Sequence, residues 1–477
     1  MEENVLNKEP IVGIDKKIPR AEKFFFSSAP GVATFYFMMI STWLLFFYTD
    51  ILKIDVLYVG AMFVVVRIID AILTPFFGMY LDRQNTRWGK YKPWIFILWT
   101  GMCVGGFLTF NTVNLGQTAN TIYATITYAV FSIFMSMNTG ASMGMTTAIT
   151  KRQDDRLTIG MGNAVWTMVF AIIASIVALP LINAFGNGDQ EAGFRGLMLV
   201  FLVINMAITV IIVKISKERF IIPKEQQQKF SLKLVFKSLG GNKYAVIAIV
   251  YIFAINLFSS IRSAVGIYYY KYYFNDENML VMVGMISMIP TLIGAFAGTA
   301  IAKKIGLKAT ILTAVIATVA TSVPMYFLPA NDMGKMVFIV LSAIGGLFTG
   351  IAQPAQGTMV PAAADFGEWR FKTNSGGFFG TLNGFFQTLA TAIAGGLVAF
   401  ILAAVNYVPD VQQTNTALDG IRFMMAILPA VVFLAGFVMI GWDMSEKKHQ
   451  EIVEEVNARR ATEADVNATV QTAKMGT

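Results

Sequence analysis

The 477-residue sequence contains one cysteine, Cys103, and one histidine, His449. A single residue of each type excludes a disulfide framework and a Cys/His zinc site, and we predict no bound metal. Charged residues are scarce at 14%, whereas hydrophobic residues make up 56%. Soluble domains carry about 25% charged residues, so this deficit indicates a chain that is solvated largely by lipid.

The sequence also lacks a Walker phosphate-binding loop and any visible nucleophile–base set. These absences exclude an ATP-driven pump and disfavour a membrane-embedded enzyme. The formal net charge of +8 would suit nucleic acid, but the basic residues are dispersed over short loops. We therefore predict a protein that is not an enzyme, has no cofactor, binds no nucleic acid and lies in a lipid bilayer.

Apolar stretches long enough for a helix to cross a bilayer, about 20 residues each, recur along the whole chain. They predict twelve spans at residues 29–49, 56–81, 93–113, 119–149, 161–185, 194–214, 243–268, 279–301, 308–329, 335–361, 375–405 and 422–442. A polar stretch divides them into two groups of six. The predicted regions are an N-terminal tail 1–28, a first half 29–214, a linker 215–242, a second half 243–442 and a C-terminal tail 443–477.

The lysine and arginine residues predict the orientation of these spans. Of the 37 in the chain, about 30 fall in the tails and in the even-numbered loops, and about five fall in the odd-numbered loops. Cytoplasmic loops carry the excess of basic residues in membrane proteins. We expect both termini and the 6–7 loop to be cytoplasmic.

The two halves also repeat a short pattern at the inner end of a span. Gly78 stands four residues before Asp82, and Gly298 stands four residues before Ala302. Small residues and basic charges end many membrane spans, so the second copy of the pattern can also arise without an internal repeat. Twelve spans with a polar central loop fit the two six-helix halves of the major facilitator superfamily.

Several motifs, in their order along the chain, resemble the glycoside–pentoside–hexuronide:cation symporters, the melibiose permease family of that superfamily. The motifs are Phe46–Asp50, Arg67-Ile-Ile-Asp70-Ala with Pro75, Asp82-Arg83, Thr86–Trp94, Asp365–Trp369 as a signature of loop 10–11, Gly420–Arg422 with Pro429, and Ile452–Glu455. The resemblance extends from about residue 28 to about residue 460.

This resemblance implies an all-α membrane protein with the major facilitator fold. It also implies a secondary transporter that moves a sugar, glycoside or glucuronide across the plasma (inner) membrane of a bacterium by alternating access, with H⁺ or Na⁺ as possible coupling ions. Two alternatives stay open at this point. One is a carrier of the same fold for a non-sugar solute, and the other is a transport-inactive receptor or scaffold.

Arg67 and Asp70 are three residues apart on a predicted helix, so they share one face and can pair. Ionisable residues within a bilayer are costly and normally face the interior of the helix bundle. The pair is therefore either part of a solute site or a purely structural ion pair. Arg262, in the seventh span, invites the same interpretation, or it reaches the outer surface by snorkelling.

Carried over position by position, the resemblance implies a substrate site and shows where this chain departs from the family. The implied substrate-binding residues are Thr34, Arg67, Asp70, Asn138, Asn163 and Thr388, lining one cavity. Asp70 is the implied coupling residue, but Thr74 and Asn138 stand here at two carboxylate positions of the family, and Met135 stands at the position of a hydroxyl ligand. Hard cations want several oxygen ligands, so we expect transport that is H⁺-coupled or uncoupled rather than strongly Na⁺-coupled.

Charged residues near the inner ends of the spans suggest a cytoplasmic gate. Asp82, Arg83 and Arg87 of loop 2–3 would pair with Asp365 and Glu368 in one state and separate in the other, since surface ion pairs are weak. The alternative is that the basic residues serve topology alone.

Overall fold

The computed structural model describes residues 18–83, 89, 91–113, 116–150, 153–219, 241–371, 376–445, 447–456 and 458–459. The regular elements of this part of the chain are helices. In chain order they are α1 Arg20–Ser27, α2 Ala29–Met39, α3 Val56–Arg83, α4 Lys92–Thr109, α5 Gln117–Ile149, α6 Gln153–Ile172, α7 Ala178–Gly186, α8 Gln190–Ile215, α9 Lys243–Tyr268, α10 Met279–Ile305, α11 Leu307–Ser322, α12 Asp332–Phe371, α13 Gly376–Ala404 and α14 Asn415–Phe433. A last helix, α15, covers residues 447–456.

Short turns of π or 3₁₀ helix extend several of these elements. They are Ile40–Leu44 and Phe47–Ile51 after α2, Ile173–Val177 between α6 and α7, Tyr269–Tyr273 after α9, Val323–Phe327 after α11 and Leu434–Gly441 after α14. Each of the twelve predicted apolar stretches coincides with a helix, and five of these helices are extended by such turns. Nine helices among the described residues are long and apolar enough to cross a membrane. The helices α3, α4 and α5 are not among these nine, so the total of twelve spans stays a prediction.

Side chains cap the starts of two helices in the first half. At α8, the carboxylate of Asp189 accepts a hydrogen bond from the backbone N–H of Glu191 at 2.9 Å. At α4 the cap comes from a distant residue, because Glu218 accepts hydrogen bonds from the backbone N–H groups of Tyr91 at 2.8 Å and Lys92 at 2.7 Å. A carboxylate there satisfies free N–H groups and complements the positive end of the helix dipole.

The first helix of each half ends in the same way. The π turn Phe47–Ile51 is followed by Lys53 in the left-handed region, with φ of 55°. The π turn Tyr269–Tyr273 lies 222 residues later and is followed by Asn275, also left-handed, with φ of 49°. Left-handed residues other than glycine are uncommon. Their recurrence at one offset is independent support for an internal repeat.

Contacts divide the chain into two compact units. The first comprises Met1–Lys229 with Gly395–Gln412, and the second comprises Phe230–Ala394 with Gln413–Thr477. The C-terminal part of α13 thus belongs to the first unit. Within that unit, Tyr407 donates a hydrogen bond to Oδ1 of the buried Asp50 at 2.7 Å. The domain boundaries deduced from the sequence remain a prediction.

Glycines allow two helices of the second unit, α10 and α12, to approach closely. A Cβ atom on Gly298 would lie 2.3 Å from the carbonyl oxygen of Ile351, and one on Gly350 would lie 2.1 Å from that of Thr291. Small residues at helix crossings are the usual means of close packing in membranes. The packing therefore explains the glycine of the repeated pattern at residue 298 by a local steric requirement.

The motif Asp365–Trp369, which we placed in loop 10–11, lies instead within the last turns of the long helix α12. Helix α12 continues to Phe371 because side chains near its C-terminal end pack against other elements of the second unit. Phe366 is buried, and its ring contacts those of Tyr244 at 4.8 Å and Trp369 at 5.7 Å. The Nε1 of Trp369 donates to Glu455 of α15 at 2.6 Å. Assignment of this motif to a loop was therefore wrong.

Candidate functional site

The helix α3 carries an ion pair that is buried inside the first unit. Arg67 is 6% exposed and Asp70 is 2% exposed. The Nη1 atom of Arg67 lies 3.7 Å from Oδ2 of Asp70. This confirms that the i, i+3 spacing places both side chains on one helix face. At 3.7 Å the contact is electrostatic rather than a hydrogen bond of normal length.

Two serines of α5 donate hydrogen bonds to Asp70. The hydroxyl of Ser132 donates to Oδ2 of Asp70, and the hydroxyl of Ser136 donates to the same oxygen at 3.3 Å. They are four residues apart and therefore share a face of α5. The sequence analysis did not select either serine. Their only signal was a pair of hydroxyls, four residues apart, in an otherwise apolar span.

The guanidinium of Arg67 has more donors than the surrounding side chains use. Its Nε is buried and has no hydrogen-bond partner among the described residues. Tyr128, which is 2% exposed, lies within electrostatic range of both Arg67 and Asp70. An arginine offers five N–H donors in a rigid planar fork. The site can therefore donate several hydrogen bonds to the hydroxyls or the acid group of a solute.

The carboxylate of Asp70 and the hydroxyls of Ser132 and Ser136 bring oxygen atoms together where α3 meets α5. Oxygen atoms are the ligands that hard cations prefer. Arg67 already places a positive charge 3.7 Å away. No group of three or more His, Cys, Asp or Glu side chains suited to a metal occurs in the described ranges. The charge of Arg67 opposes any second cation on Asp70, whether a metal ion or a proton.

Two of the other predicted binding residues, Thr34 and Asn138, form hydrogen bonds within their own helices. Thr34 Oγ1 donates to the carbonyl of Pro30 at 2.8 Å. Asn138 accepts from Ser142 at 3.2 Å, and its Nδ2 lies 4.0 Å from the sulfur of Met102. Their contacts therefore do not gather these two side chains around Asp70.

Asn163 and Thr388 lie on different units. In the amide orientation that satisfies both ends, Asn163 donates to the carbonyl oxygens of Ser27 at 3.1 Å and Ile159 at 3.2 Å. Thr388 lies on α13, in the part that belongs to the second unit, and is half-buried. Only Arg67 and Asp70, among the six predicted binding residues, are brought into contact by the structure of one unit. The shared cavity remains a prediction.

The proposed cytoplasmic gate falls partly outside the described residues. Asp82 and Arg83 are the last residues of α3, and nothing is described of their side chains, while Arg87 lies outside the described ranges. Asp365 contacts Nε2 of His449 in α15 at 2.9 Å. The backbone carbonyl of Glu368, whose side chain is buried, accepts from Arg459 at 3.0 Å. The C-terminal segment is thus a neighbour of the gate that the sequence analysis did not anticipate.

Comparison with known proteins identifies the family. The model of the family described as MFS/sugar transport protein matches residues 25–441, so the chain belongs to this family. The major facilitator fold and the resemblance to glycoside symporters are thereby confirmed. The protein is a multi-pass membrane transporter, and its family and relatives are transporters rather than enzymes.

Three relatives illustrate the range of solutes. The chain is 27% identical over 451 residues to an uncharacterized symporter, YnaJ, of Bacillus subtilis, covering 93% of this chain and 96% of that protein. It is 26% identical to the isoprimeverose transporter of Lactiplantibacillus pentosus, covering 94% and 93%. It is 25% identical to a putative 2,3-dihydroxypropane-1-sulfonate exporter of Escherichia coli, covering 94% and 97%.

Among solved structures, the fold is similar to a bacterial homologue of the human lysosomal transporter Spinster. The TM-score is 0.61 at 12% sequence identity, and the alignment covers 90% of this chain and all of the other. Such low identity supports the fold alone.

Proposed function

We propose that this protein carries a sugar or glycoside across the plasma membrane of a bacterium by alternating access. Both termini lie in the cytoplasm in this proposal, as the distribution of basic residues predicts. The family and a relative named for isoprimeverose support a sugar as the solute. Transport is coupled to H⁺ or is uncoupled, and does not depend strongly on Na⁺.

The buried pair of Arg67 and Asp70 carries this proposal. An intramembrane arginine that is incompletely hydrogen-bonded is a functional site by default, because burial of its charge is otherwise costly. The solute engages the free donors of Arg67. The attraction between Arg67 and Asp70 then weakens, so the carboxylate of Asp70 becomes a better proton acceptor. This exchange links solute binding to protonation within one turn of α3 and the facing side of α5.

A second candidate solute is a small organic sulfonate. A relative named for the export of 2,3-dihydroxypropane-1-sulfonate and the bidentate fork of Arg67 favour it, since guanidinium groups match the geometry of oxyanions. Such a solute would use the same site. It is a non-sugar carrier of the kind that the sequence analysis left open.

Uptake by proteoliposomes tests the proposal. We expect saturable uptake of a radiolabelled glycoside by the wild type and none above background by Arg67→Ala. Arg195→Ala is the matched control. Arg195 is in the same unit, pairs with Glu191 at 2.8 Å and is half-exposed, so its removal should leave uptake unchanged. Normal uptake by the Arg67 variant would contradict the proposal, and so would absence of uptake by the wild type with every sugar and sulfonate tried.

A further inference from the structure

A second guanidinium, in the second unit, has weak partners. Arg262 lies on α9 and is half-buried. Nη2 lies 3.5 Å from the sulfur of Met325, and the guanidinium carbon lies 5.6 Å from the ring centre of Phe258. A thioether is a weak acceptor, and the ring of Phe258 offers only a cation–π contact. Neither neighbour neutralises the charge.

The side chains that the Arg262 guanidinium contacts are themselves buried. Met325 is 1% exposed and Phe258 is 5% exposed, so the guanidinium lies among protein side chains. Met325 belongs to the short turn Val323–Phe327 that follows α11, so the guanidinium lies near that end of α11.

Other basic residues at the outer end of the second unit have acidic partners. Lys335 pairs with Asp276 at 3.3 Å, and Arg422 pairs with Asp419 at 2.9 Å. Within the described part of the chain, Arg262 has no carboxylate within ion-pair distance. An unpaired cation in a partly buried place is unfavourable, and a bound anion would offset that cost.

A second unsatisfied polar group lies in the same part of the second unit. Tyr269 is 1% exposed, and its hydroxyl has no hydrogen-bond partner among the described residues. Tyr269 is seven residues, or about two helical turns, after Arg262 and on the same side of the helical run, and its hydroxyl is within electrostatic range of Arg262 and Arg422. A buried hydroxyl without a partner is unfavourable. The acid group of a solute between Arg262 and Tyr269 would give an acceptor to both.

The face of α9 that carries Arg262 also carries a second polar side chain. Ser259 is exposed, and it precedes Arg262 by three residues and therefore shares its face. A solute that contacts Ser259 would lie next to the guanidinium.

We propose that Arg262, assisted by the hydroxyl of Tyr269, binds the carboxylate or sulfonate group of an anionic solute and so selects it over a neutral one. The inference rests on the proposed function, because it assigns a solute class to the same transporter. It adds an anion-selective residue in the second unit, separate from the pair of Arg67 and Asp70. A free inorganic oxyanion has the same chemistry, and the test below distinguishes it.

The test compares two probes that differ only at C6, methyl β-D-glucuronide with a carboxylate and methyl β-D-glucoside with a hydroxymethyl group, by equilibrium binding to the purified full chain. A charge-assisted hydrogen bond changes affinity by about 10- to 100-fold, so we expect the wild type to prefer the glucuronide by that factor. Arg262→Gln should bind both probes equally, with its affinity for the glucoside within about threefold of wild type. An unchanged preference, or an equal loss of both probes, would overturn the proposal.

Two matched variants separate recognition from stability. Arg422→Gln removes a guanidinium that bonds Asp419 and the carbonyl of Tyr326, so it should lower the melting temperature yet keep the preference for the acid. Tyr269→Phe loses no existing hydrogen bond and should weaken only glucuronide binding, by a few-fold. Tyr273→Phe, which loses a bond to the carbonyl of Leu328, should keep the preference. The reverse pattern would assign Arg262 and Tyr269 a packing role only.

Two further probes distinguish this inference from the proposed function. If neither sugar binds but isethionate, a sugar-free sulfonate, binds in an Arg262-dependent way, sugar transport is wrong and the anion site stands. If the neutral glucoside binds and is transported as well as the glucuronide, sugar transport stands and the anion site is wrong. If inorganic sulfate alone gives the Arg262-dependent binding, the site takes a free ion and the solute assignment is wrong.

Discussion

The ion pair of Arg67 and Asp70 allows a prediction whose size follows from the structure. At 3.7 Å and an effective dielectric constant of about 20, two unit charges attract by about 4 kcal/mol. Removal of either partner also leaves an uncompensated charge in a buried place, which costs about 3–5 kcal/mol in comparable cases. Arg67→Gln and Asp70→Asn should each destabilise the protein by an amount in that range.

The double variant is the informative one, because it leaves no charge stranded. We expect its loss of stability to be smaller than the sum of the two single losses by about 3 kcal/mol, the upper end of measured couplings between contacting residues. Unfolding free energies from SDS titration in mixed micelles would measure all four proteins. The control is the ion pair of Arg195 and Glu191, which is half-exposed near the start of α8. Its substitution by Arg195→Gln and Glu191→Gln should show a coupling below about 1 kcal/mol.

Additive losses, within about 0.5 kcal/mol, would refute the reasoning. They would mean that Arg67 and Asp70 are stabilised separately, and that the exchange of partners proposed for solute binding has no energetic basis. Transport adds a second readout. If a proton on Asp70 drives accumulation, Asp70→Asn should abolish accumulation against a gradient and spare solute exchange, whereas Arg67→Gln should abolish both.

Four further outcomes are expected. Gly350→Ala should destabilise the second unit by about 1–3 kcal/mol, because its Cβ would meet the carbonyl oxygen of Thr291 at 2.1 Å. Gly357→Ala in the same helix is the control and should be neutral or stabilising, because its Cβ meets nothing within 4 Å. Equal melting temperatures for the two variants would contradict this prediction. Uptake should change little between zero and about 20 mM Na⁺, a concentration low enough that screening changes modestly, and a steep rise in solute affinity would contradict it. Reporter fusions within residues 223–240 should report a cytoplasmic location, and an external signal would overturn the predicted topology. Hydrogen bonds from Lys243 and Tyr244 lower the pKa of Asp443 to about 2. The contact therefore stabilises the fold above the unfolded pKa of about 4, and this contribution is lost as the pH falls through 2. The difference in melting temperature between wild type and Asp443→Asn should be constant from pH 7 to 5 and shrink below pH 4.

The sequence by itself determined where the helices lie and which residues share a face of one helix. Apolar stretches predicted the helical segments, because transfer of some 20 residues into a bilayer depends on composition and length alone. The pairing of Arg67 with Asp70 was equally predictable, since a spacing of three residues within a helix fixes their proximity. Family membership followed from motifs that keep their order and spacing along the chain.

Tertiary structure alone decided what stands opposite each helix face. The approach of Ser132 and Ser136 to Asp70, the contact of Arg262 with Met325, and the contact of Asp365 with His449 all join residues that are far apart in sequence. Helical periodicity orders residues about one axis, but it contains no information on the rotation of that axis or on the neighbour that packs against it. Those depend on the fit between helices, such as the contact of Gly298 with Ile351, and this fit is a property of the assembled bundle.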